Sequence, residues 1–254
     1  MGKLNLPLEY SKLSQYFDVL SQSGEHSKNS AIEKILKRHK VKTVLDLTCG
    51  TGSQVFWLAK HGYQVTGADF SPALLEIARC KAMKEKTAIQ FLEGDMRTIQ
   101  VGQFDAVITI SNAVGHLSKS SFEKAMRNIH KNLKEGGIYI FDIFNLDAMT
   151  DKAVDDLAMD VKAAVNDRKI HNIQYSKIDR DRGRLASFDQ FYINEDSAQQ
   201  KIIKAKFTLQ IYTAKELREM LANNGFKTLC QYGIDGKKFF EKKTQSILTV
   251  AKKV

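Results

Sequence analysis

The sequence has few cysteines and few prolines, and both shortages exclude classes of protein. Its three cysteines, Cys49, Cys80 and Cys230, stand far apart and form no Cys-x-x-Cys pair. A scattered, odd-numbered set argues against a disulfide framework and against a zinc site, so we expect no metal centre. Only two prolines occur among the 254 residues, and no proline-rich linker divides the chain. We therefore predict one large domain, or one domain that carries an insertion.

Long apolar runs are also missing. No stretch approaches the roughly 20 apolar residues that a membrane-spanning helix needs. The N-terminal residues, MGKLNLPLEYSKLSQYF, lack the continuous apolar segment of a secretory signal peptide. We accordingly expect a cytoplasmic protein whose cysteines are reduced and which does not bind a membrane.

Positive charge predominates, because 39 lysines and arginines outnumber 29 aspartates and glutamates and give a net charge of +10. Such a charge is compatible with binding to nucleic acid, to a membrane surface or to an acidic partner. The basic residues are spread along the chain, with only a modest cluster between Lys237 and Lys253. This distribution favours an ordinary lysine-rich surface, and it argues against nucleic acid as a partner.

Apolar runs alternate with helical patterns along most of the chain. The strand-like runs read TVLDL, YQVTGAD, AIQFLEGD, FDAVITI, IYIFDIF, FKTLCQYG and TQSILTVAKK. One intervening helix has a clear start, since Ser71 is a suitable N-cap and Pro72 suits the first helical position. Strands that alternate with helices form crossover units. They predict an α/β fold with a mostly parallel sheet of about seven strands and helices on both faces.

The pattern changes after about residue 160. The segments KIHNIQYSKID, RLASFDQFYIN and KIIKAKFTLQIY are separated by polar turns, and apolar residues alternate with mainly polar ones in the last of them. This period of two is typical of antiparallel strands with one buried face. We predict a three-stranded antiparallel meander that is inserted into the α/β domain.

A glycine-rich turn, in VLDLTCGTGS, follows the first predicted strand. Gly50 and Gly52 allow the backbone to approach a ligand closely. The second strand ends in Asp69, and a carboxylate about twenty residues beyond such a turn can accept hydrogen bonds from both hydroxyls of a ribose. Ligands of open α/β sheets bind beyond the carboxyl ends of the strands, so we predict a nucleoside-containing cofactor here.

Two kinds of nucleoside cofactor compete for this turn. The dinucleotide site of a nicotinamide-dependent oxidoreductase wants a small residue where Val55 stands, and the acid Asp46 beside the turn suits a pyrophosphate poorly. The third strand also ends in an acid, Asp95, which is followed by Met96. Such a pair can accept a hydrogen bond from the adenine amine and pack on the ring. Acids at three successive strand ends favour an adenosine ligand that carries positive charge.

Five segments in order, VLDLTCGTG, GADFSPALLEIAR, LEGDM, FDAVI and LKEGGIYIFDI, resemble the class I S-adenosylmethionine-dependent methyltransferases. The resemblance covers roughly residues 44 to 144 and implies a Rossmann-like sheet, with the antiparallel insertion as a lid. It also implies S-adenosylmethionine as cofactor and S-adenosylhomocysteine as product. The cofactor-site residues lie in the turn and after the next strands; they are Asp46, Thr48, Gly50, Gly52, Asp69, Phe70, Asp95, Met96, Ile110 and Ser111.

A finer resemblance is to the glycine N-methyltransferase-like group. The segment ISNAVGHL is similar to that group's asparagine-containing segment after strand four, which makes Asn112 a candidate for contact with the methyl acceptor. Phe144 stands where glycine N-methyltransferase has a carboxylate-binding arginine. We therefore expect an acceptor that is less anionic or more apolar than glycine.

Further candidates for the acceptor site come from three parts of the chain. His116 is a candidate base, although a histidine in such a turn also suits a structural hydrogen bond. Tyr16 belongs to a segment that covers the cofactor in similar enzymes, and simple helix packing is its alternative role. The insertion offers aromatic residues for a pocket wall, namely Tyr175, Phe188, Phe191 and Tyr192.

The predicted activity is methyl transfer to a nitrogen or oxygen nucleophile of a small molecule by in-line displacement. The predicted division is an N-terminal helical segment (1–40), a cofactor-binding core (41–158), the lid (159–212) and a C-terminal helix with strands that complete the sheet (213–254). A methyltransferase acting on nucleic acid or another macromolecule is one alternative. A non-catalytic S-adenosylmethionine-binding module is another, and the sequence leaves a homodimer open.

Overall fold

Two β-sheets form the framework of the chain. A computed structural model describes residues 6–20, 25–165, 168–196 and 199–254. The strands, in chain order, are β1 (Thr43–Asp46), β2 (Gln64–Asp69), β3 (Gln90–Glu93), β4 (Phe104–Thr109), β5 (Leu133–Phe144), β6 (Met159–Val165), β7 (Arg168–Asp179), β8 (Arg184–Asp196), β9 (Gln199–Gln210), β10 (Phe226–Gly233) and β11 (Ser246–Lys253). The helices are α1 (Phe17–Leu20), α2 (Glu25–Arg38), α3 (Ser53–Lys60), α4 (Pro72–Lys84), α5 (Lys119–Lys131), α6 (Asp151–Asp155) and α7 (Ala214–Ala222).

The larger sheet follows the order β10-β11-β5-β4-β1-β2-β3. The strands from β5 to β3 are parallel to their neighbours, whereas β11 runs antiparallel to both β5 and β10. The chain leaves β1 toward β2 on one side and returns through β4 on the other, so the strand order reverses between β1 and β4. Ligands of such sheets bind outside the carboxyl ends at this point. The predicted mostly parallel α/β sheet of seven strands is confirmed.

Both faces of the larger sheet are buried, as the near-continuous apolar strands predict. On one face, Tyr139 and Phe141 of β5 pack with Phe122 of α5. On the other face, Ile140 of β5 packs with Ile32 of α2. Layers of helices on both sides thus hold the strand ends in fixed positions relative to one another.

The smaller sheet, which we call the lid sheet, consists of β6 to β9 in that order, and all of its strands are antiparallel. The sequence predicts three of these strands, and the structure adds a fourth, β6. This strand pairs with β7 from Met159 opposite Gln174 to Val165 opposite Arg168. Its sequence, MDVKAAV, has an apolar residue at every second position, and burial alternates in the same way, but the run is only seven residues long and is partly made of alanine.

Residues 6–20 lie between the two sheets. Several of their apolar side chains face the lid sheet, where Leu13 and Tyr16 pack with Phe191, whereas the ring of Phe17 lies beside Gly50. The predicted N-terminal segment also includes residues 1–5 and 21–24, which lie outside the described residues. The predicted division of the chain at residues 40, 158 and 212 stays a prediction. No helix in the described ranges is long and apolar enough to cross a membrane.

Polar side chains tie the same segment to the larger sheet. The hydroxyl of Ser71 donates to the carbonyl of Tyr10 (2.5 Å), and the hydroxyl of Thr51 donates to the carboxylate of Asp18 (2.5 Å). Lys81 of α4 also pairs with Asp18 (2.7 Å). The segment therefore closes one side of the space above the strand ends.

Candidate active site

A cavity of about 810 Å³ lies at the carboxyl ends of β1 to β5. Its wall is formed by the larger sheet, by residues 6–20 and by the lid sheet. The predicted site residues that line it are Thr48, Gly50, Asp69, Phe70, Asp95, Met96, Ile110, Ser111, Asn112 and His116. The fold thus brings to one cavity residues that the sequence spreads over four connecting loops.

The glycine turn is held against the end of β2 by one carboxylate. The backbone N–H of Gly50 donates to Asp69 Oδ2, and the N–H of Ser71 donates to Asp69 Oδ1, both at 2.8 Å. Burial raises the pKa of Asp69, and these backbone N–H groups oppose that shift. Gly52 has a φ of +96°, and a Cβ there would lie 2.6 Å from the ring of Phe56. The start of α3 therefore requires glycine for two separate reasons.

Asp46 lies behind the turn and does not line the cavity in the described structure. Its side chain is fully buried, and its Oδ1 accepts a hydrogen bond from the N–H of Thr48 (3.1 Å). Its Oδ2 has no partner among the described residues. Burial raises the pKa of Asp46 to about 7. Its position is that of a support for the turn, and Gly52 likewise stands outside the cavity wall.

The acid after β3, Asp95, forms an ion pair with Arg97 at the edge of the cavity. Asp95 accepts two hydrogen bonds from Arg97 Nε (2.9 Å each), one from Arg97 Nη2 and one from the backbone N–H of Arg97 (2.8 Å). Burial opposes ionisation, but the guanidinium outweighs it and lowers the pKa of Asp95. Asp95 is therefore a fixed negative charge, and Met96 places an apolar side chain beside it.

The loop after β4 is a strained elbow, by which we mean the pair Ser111 and Asn112. Both residues have positive φ values, +66° and +58°. Asp142 of β5 stabilises the elbow, because its carboxylate accepts hydrogen bonds from the N–H groups of Ser111 (2.6 Å) and Asn112 (3.2 Å). Burial raises the pKa of Asp142 to about 6. The amide oxygen of Asn112 is buried at the elbow with no described partner.

Lys28 of α2 is a site residue that the sequence analysis does not identify. It is only 9% exposed and lines the cavity. Its Nζ donates to Glu25 Oε1 (2.5 Å) and to the hydroxyl of Ser111 (2.8 Å). The other oxygen of Glu25 accepts from Ser53 (2.5 Å) and Gln54 (3.2 Å) at the start of α3. One buried ion pair thus joins α2, α3 and the elbow.

The sequence does contain a signal for this lysine, namely its position in the apolar stripe of α2. Lys28 shares a helix face with Ala31, Ile32 and Ile35, which are all buried. A lysine in an apolar stripe at helical spacing is an exception that calls for a partner or a ligand. The pattern does not say which one, because the partner Ser111 lies 83 residues away.

His116 and Tyr10 meet at the cavity wall. The hydroxyl of Tyr10 lies 3.4 Å from His116 Nε2, and the His116 ring also contacts the ring of Phe207 on β9. His116 Nδ1 is buried without a described partner. Burial lowers the pKa of His116 to about 4, so the imidazole is neutral at physiological pH. The neutral ring is suited to accept a hydrogen bond through one nitrogen.

Tyr16 does not reach the cavity in the described structure. It is fully buried among apolar residues of the lid sheet, including Ile170 and Phe191, and its hydroxyl has no described partner. Of the predicted pocket aromatics, Phe191 lies in this same core cluster. Tyr192 is half-buried on the opposite face of β8, where it stacks with His171 at a ring distance of 5.5 Å. Neither residue lines the cavity.

The lid sheet turns polar side chains toward the cavity. Gln174 and Ser176 of β7 and Ser187 of β8 line it. Tyr175 and Phe188 are shifted by one residue from these positions and therefore lie on the opposite face, where their rings stack at 5.0 Å. None of the four predicted aromatic residues lines the cavity, and the lid sheet contributes these amide and hydroxyl groups together with Leu185, Phe207 and Leu209.

Carboxylates outnumber cations in the cavity wall, although the chain as a whole is basic. The acidic residues that line the cavity are Glu9, Asp18, Glu25, Asp69, Asp95 and Asp142. The lysines that line it, among the described residues, are Lys28 and Lys81, and each is already paired with an acid. A cationic ligand is therefore favoured over an anionic one.

Comparison with known proteins places the chain in a family. Residues 44–137 match the methyltransferase domain family. A protein of Geobacillus sp. (strain WCH70) that carries a methyltransferase name is 30% identical over 172 residues, which are 65% of this chain and 68% of that protein. The glycine/sarcosine N-methyltransferase of Parasynechococcus marenigrum (strain WH8102) is 34% identical over 120 residues, 46% of this chain and 43% of that enzyme. The match thus spans less than half of the second relative.

Solved structures show the same architecture over nearly the whole chain. An S-adenosylmethionine-dependent methyltransferase from Clostridium acetobutylicum ATCC 824 superimposes with a TM-score of 0.78 at 17% identity, covering 96% of this chain and 98% of that one. The sugar N-methyltransferase KedS8 from Streptoalloteichus sp. ATCC 53650 gives 0.77 at 17% identity, with coverages of 98% and 94%. At these identities the likeness concerns the fold. Taken together with the related sequences, it shows that the chain belongs to the S-adenosylmethionine-dependent methyltransferases.

Proposed function

We propose that this methyltransferase acts on a nitrogen or oxygen nucleophile of a small molecule, which binds between the larger sheet and the lid sheet. The observation that carries the proposal is one continuous cavity of about 810 Å³, because it joins the glycine turn and the strand-end acids to a lid wall of both polar and apolar side chains. Ligand pockets for small molecules are about 300–1,000 Å³ in size. A macromolecular acceptor would have to enter past residues 6–20 and the lid sheet, which line this space.

We assign the cofactor to the part of the cavity beside the glycine turn. Each oxygen of Asp69 accepts one backbone N–H and keeps a further acceptor position for a ribose hydroxyl. Gly50 and Thr48 leave room for the methionine part of the cofactor beside the ribose, and Phe70 and Ile110 supply apolar surface. In addition, carboxylates outnumber lysines in the cavity wall, and the resulting negative charge suits the positively charged sulfonium. The bound cofactor supplies an already activated methyl group.

The adenine end and the amino-acid end of the cofactor are assigned to two further groups. Asp95, held ionised by Arg97, is suited to accept from the adenine amine while Met96 packs against the ring. Lys28 uses two of its three N–H donors on Glu25 and Ser111. The third is a buried cationic donor for the cofactor's carboxylate.

We assign the acceptor to the space between the elbow and the lid sheet. Asn112 and His116 each offer a buried atom without a described partner, and Phe144 lines this region with an apolar ring. The support for a small acceptor is that relatives and neighbours include glycine/sarcosine and sugar N-methyltransferases. The apolar ring of Phe144 argues against a free amino-acid carboxylate at that position.

The task of the residues is mainly to position the acceptor and to exclude water. A nucleophile held about 3–3.5 Å from the methyl carbon gains up to roughly 7–11 kcal/mol relative to the reaction in dilute solution. The elbow, fixed by Asp142, is the rigid part of this arrangement. An amine with a free lone pair needs no base at the moment of attack, whereas an oxygen nucleophile needs one.

The experiment is a calorimetric titration of S-adenosylmethionine into the wild type and into Asp69→Asn. We expect the variant to bind at least about tenfold more weakly, which corresponds to about 1.4 kcal/mol. Asp156→Asn, which changes an exposed acid of α6's C-terminus, is the matched control and should bind like the wild type. Equal affinity of the Asp69 variant and the wild type would contradict the assigned site.

Turnover is then measured as S-adenosylhomocysteine release from a pool of small metabolites and, separately, from RNA, DNA and protein. We expect release with the small molecules. Release with a macromolecule alone would show that the acceptor class is wrong. Binding of the cofactor without release from either pool would favour the non-catalytic alternative.

A further inference from the structure

Glu9 places a carboxylate in the wall of the acceptor region. It belongs to a short 3₁₀ turn, Leu8–Tyr10, and lines the cavity. Its Oε2 is buried and has no hydrogen-bond partner among the described residues. A buried carboxylate oxygen without a partner costs about 1–3 kcal/mol or more. A ligand that donates a hydrogen bond would remove this cost.

A second carboxylate lies behind the first. Asp189 of β8 is only 4% exposed, and its negative charge acts on Glu9. Its Oδ1 accepts from Gln174 (2.7 Å) and from Asn172 (3.4 Å), whereas its Oδ2 has no described partner. Gln174 continues from this pair to the cavity wall. A half-buried acid and a buried acid thus interact across the boundary between residues 6–20 and the lid sheet.

Another unpartnered atom of the cavity wall, the amide oxygen of Asn112, is an acceptor as well. The neutral ring of His116 has one acceptor nitrogen and one N–H, so it adds no positive charge. The nearby cations in the described wall do not compensate, since Lys28 is paired with Glu25 and Lys81 with Asp18. This end of the cavity therefore has spare acceptors and negative charge. The complementary ligand group is a donor with several N–H bonds and a positive charge.

We propose that the methyl acceptor is an amine that enters as an ammonium ion, and that Glu9 binds its N–H groups and accepts the proton that must leave before methylation. The inference rests on the proposed function and narrows its acceptor to one chemical class. Burial, together with the charge of Asp189, raises the pKa of Glu9 to about 7. A carboxylate in that range both binds an ammonium and takes up a proton near neutral pH.

The step balances without a further reagent. The ammonium N–H proton passes to the Glu9 carboxylate, which leaves a lone pair on nitrogen. That lone pair forms the new N–C bond, and the C–S bond breaks with its electron pair on sulfur. The products are a methylated ammonium ion and the neutral thioether, and the proton on Glu9 returns to water when the products leave.

The hypothesis is tested with matched pairs of primary amine and alcohol, namely cyclohexylamine with cyclohexanol and glucosamine with glucose. Wild-type enzyme with S-adenosylmethionine should methylate or bind an amine of the panel and not its alcohol. Glu9→Gln should lower kcat/KM for that amine by about 100-fold. Its affinity for S-adenosylmethionine should stay within twofold of the wild type, which also shows that the variant is folded.

Two more variants complete the test. Glu219→Gln, at an exposed position of α7, should leave kcat/KM unchanged. Glu9→Asp keeps a carboxylate at a shorter reach and should retain more activity than Glu9→Gln. Methylation of the alcohols instead of the amines, or no binding and no turnover of any amine while the cofactor binds, would overturn the amine assignment but not the cofactor site. Equal kcat/KM of Glu9→Gln and wild type, or loss of cofactor binding in Glu9→Gln, would overturn the role of Glu9.

Discussion

Asp46 is a single buried residue that makes the stability of the fold depend on pH. Its side chain is fully buried, one oxygen has no described partner, and its pKa is raised to about 7. The folded protein therefore keeps a proton on Asp46 between its ordinary pKa and about 7, whereas the unfolded chain has released it. The contribution of this group to stability must fall as the pH rises through that window.

Asp46→Asn removes this loss, because asparagine does not ionise and its side-chain oxygen still accepts from Thr48. We expect the variant to gain stability relative to the wild type between pH 4 and pH 8, by an amount on the order of 3 kcal/mol. Urea unfolding of both proteins without cofactor at each pH measures the difference. A difference that is the same at both pH values would contradict the prediction, since all other titrating groups are shared.

Tyr16 gives a second prediction at this scale. Its hydroxyl is buried without a described partner, in the apolar cluster of the lid sheet. Tyr16→Phe removes a polar group that pays a desolvation cost, so we expect equal or higher stability, by up to about 1 kcal/mol. We also expect kcat within twofold of the wild type. A large loss of kcat in a stable variant would restore the catalytic role that the sequence suggests.

The individual site residues differ in how far the sequence predicts them. Asp69 and Asp95 can be predicted from the strand pattern, because a residue directly after a parallel strand lies at the carboxyl edge of the sheet, where ligands bind. Glu9 and Lys28 do not follow, since each acquires its role from a side chain that is distant in sequence. Tyr16 lies only six residues from Tyr10, yet the turn geometry sends one to the lid sheet and the other to the cavity wall.

At the scale of elements, the start of α3 is a junction that is sensitive to substitution of its glycine. Gly52 has a φ of +96°, and a Cβ would also meet the ring of Phe56 at 2.6 Å. For Gly52→Ala we expect a loss of stability of about 1–3 kcal/mol from backbone strain and from displacement of the ring. We also expect weaker binding of S-adenosylmethionine, because the turn is part of its assigned site.

Gly62→Ala is the matched control for this junction. Gly62 also has a positive φ, +86°, but a Cβ there meets nothing within 4 Å. It should lose about 1 kcal/mol of stability from the backbone alone and bind the cofactor as the wild type does. Thermal unfolding and calorimetry of both variants separate the two effects. Equal cofactor affinity for Gly52→Ala and Gly62→Ala would refute the role of the turn.

The elements of the larger sheet are predictable because their strands are buried on both faces and separated by capped helices. The lid sheet is harder to predict, because its strands alternate with a period of two and an error of one residue reverses which side chains face the cavity. A shift of one residue exchanges Ser187 for Phe188 and reverses which side chain meets the cavity. The strand β6 is missed for a different reason, since its alternation covers only seven residues and includes small alanines.

The whole molecule combines a basic surface with an acidic cavity. Net charge is +10 over the chain, whereas six carboxylates and two lysines line the described cavity wall. Burial raises the pKa of Glu9 and of Asp46 to about 7 and that of Asp142 to about 6. These three groups are therefore mostly ionised at pH 8 and largely protonated at pH 5.5, so the negative charge of the site rises with pH.

This charge predicts a pH-dependent preference for the sulfonium cofactor over its neutral thioether product. At pH 8 we expect S-adenosylmethionine to bind more tightly than S-adenosylhomocysteine, by about tenfold for each 1.4 kcal/mol of charge interaction. The preference should shrink at pH 5.5 as Glu9, Asp46 and Asp142 take up protons. Calorimetric titration with both ligands at both pH values checks it, and a constant ratio would exclude the electrostatic account.

The attachments of residues 6–20 differ on their two sides. Toward the lid sheet the segment is held by a cluster of buried apolar side chains, whereas toward the larger sheet it relies on the ring of Phe17 beside Gly50 and on a few polar links, one of which joins two half-exposed groups, Asp18 and Lys81. Water can replace the polar links far more easily than the apolar contacts. Residues 6–20 should therefore part from the glycine turn more readily than from the lid sheet, which is itself held to β5 and α6 by its own apolar cluster.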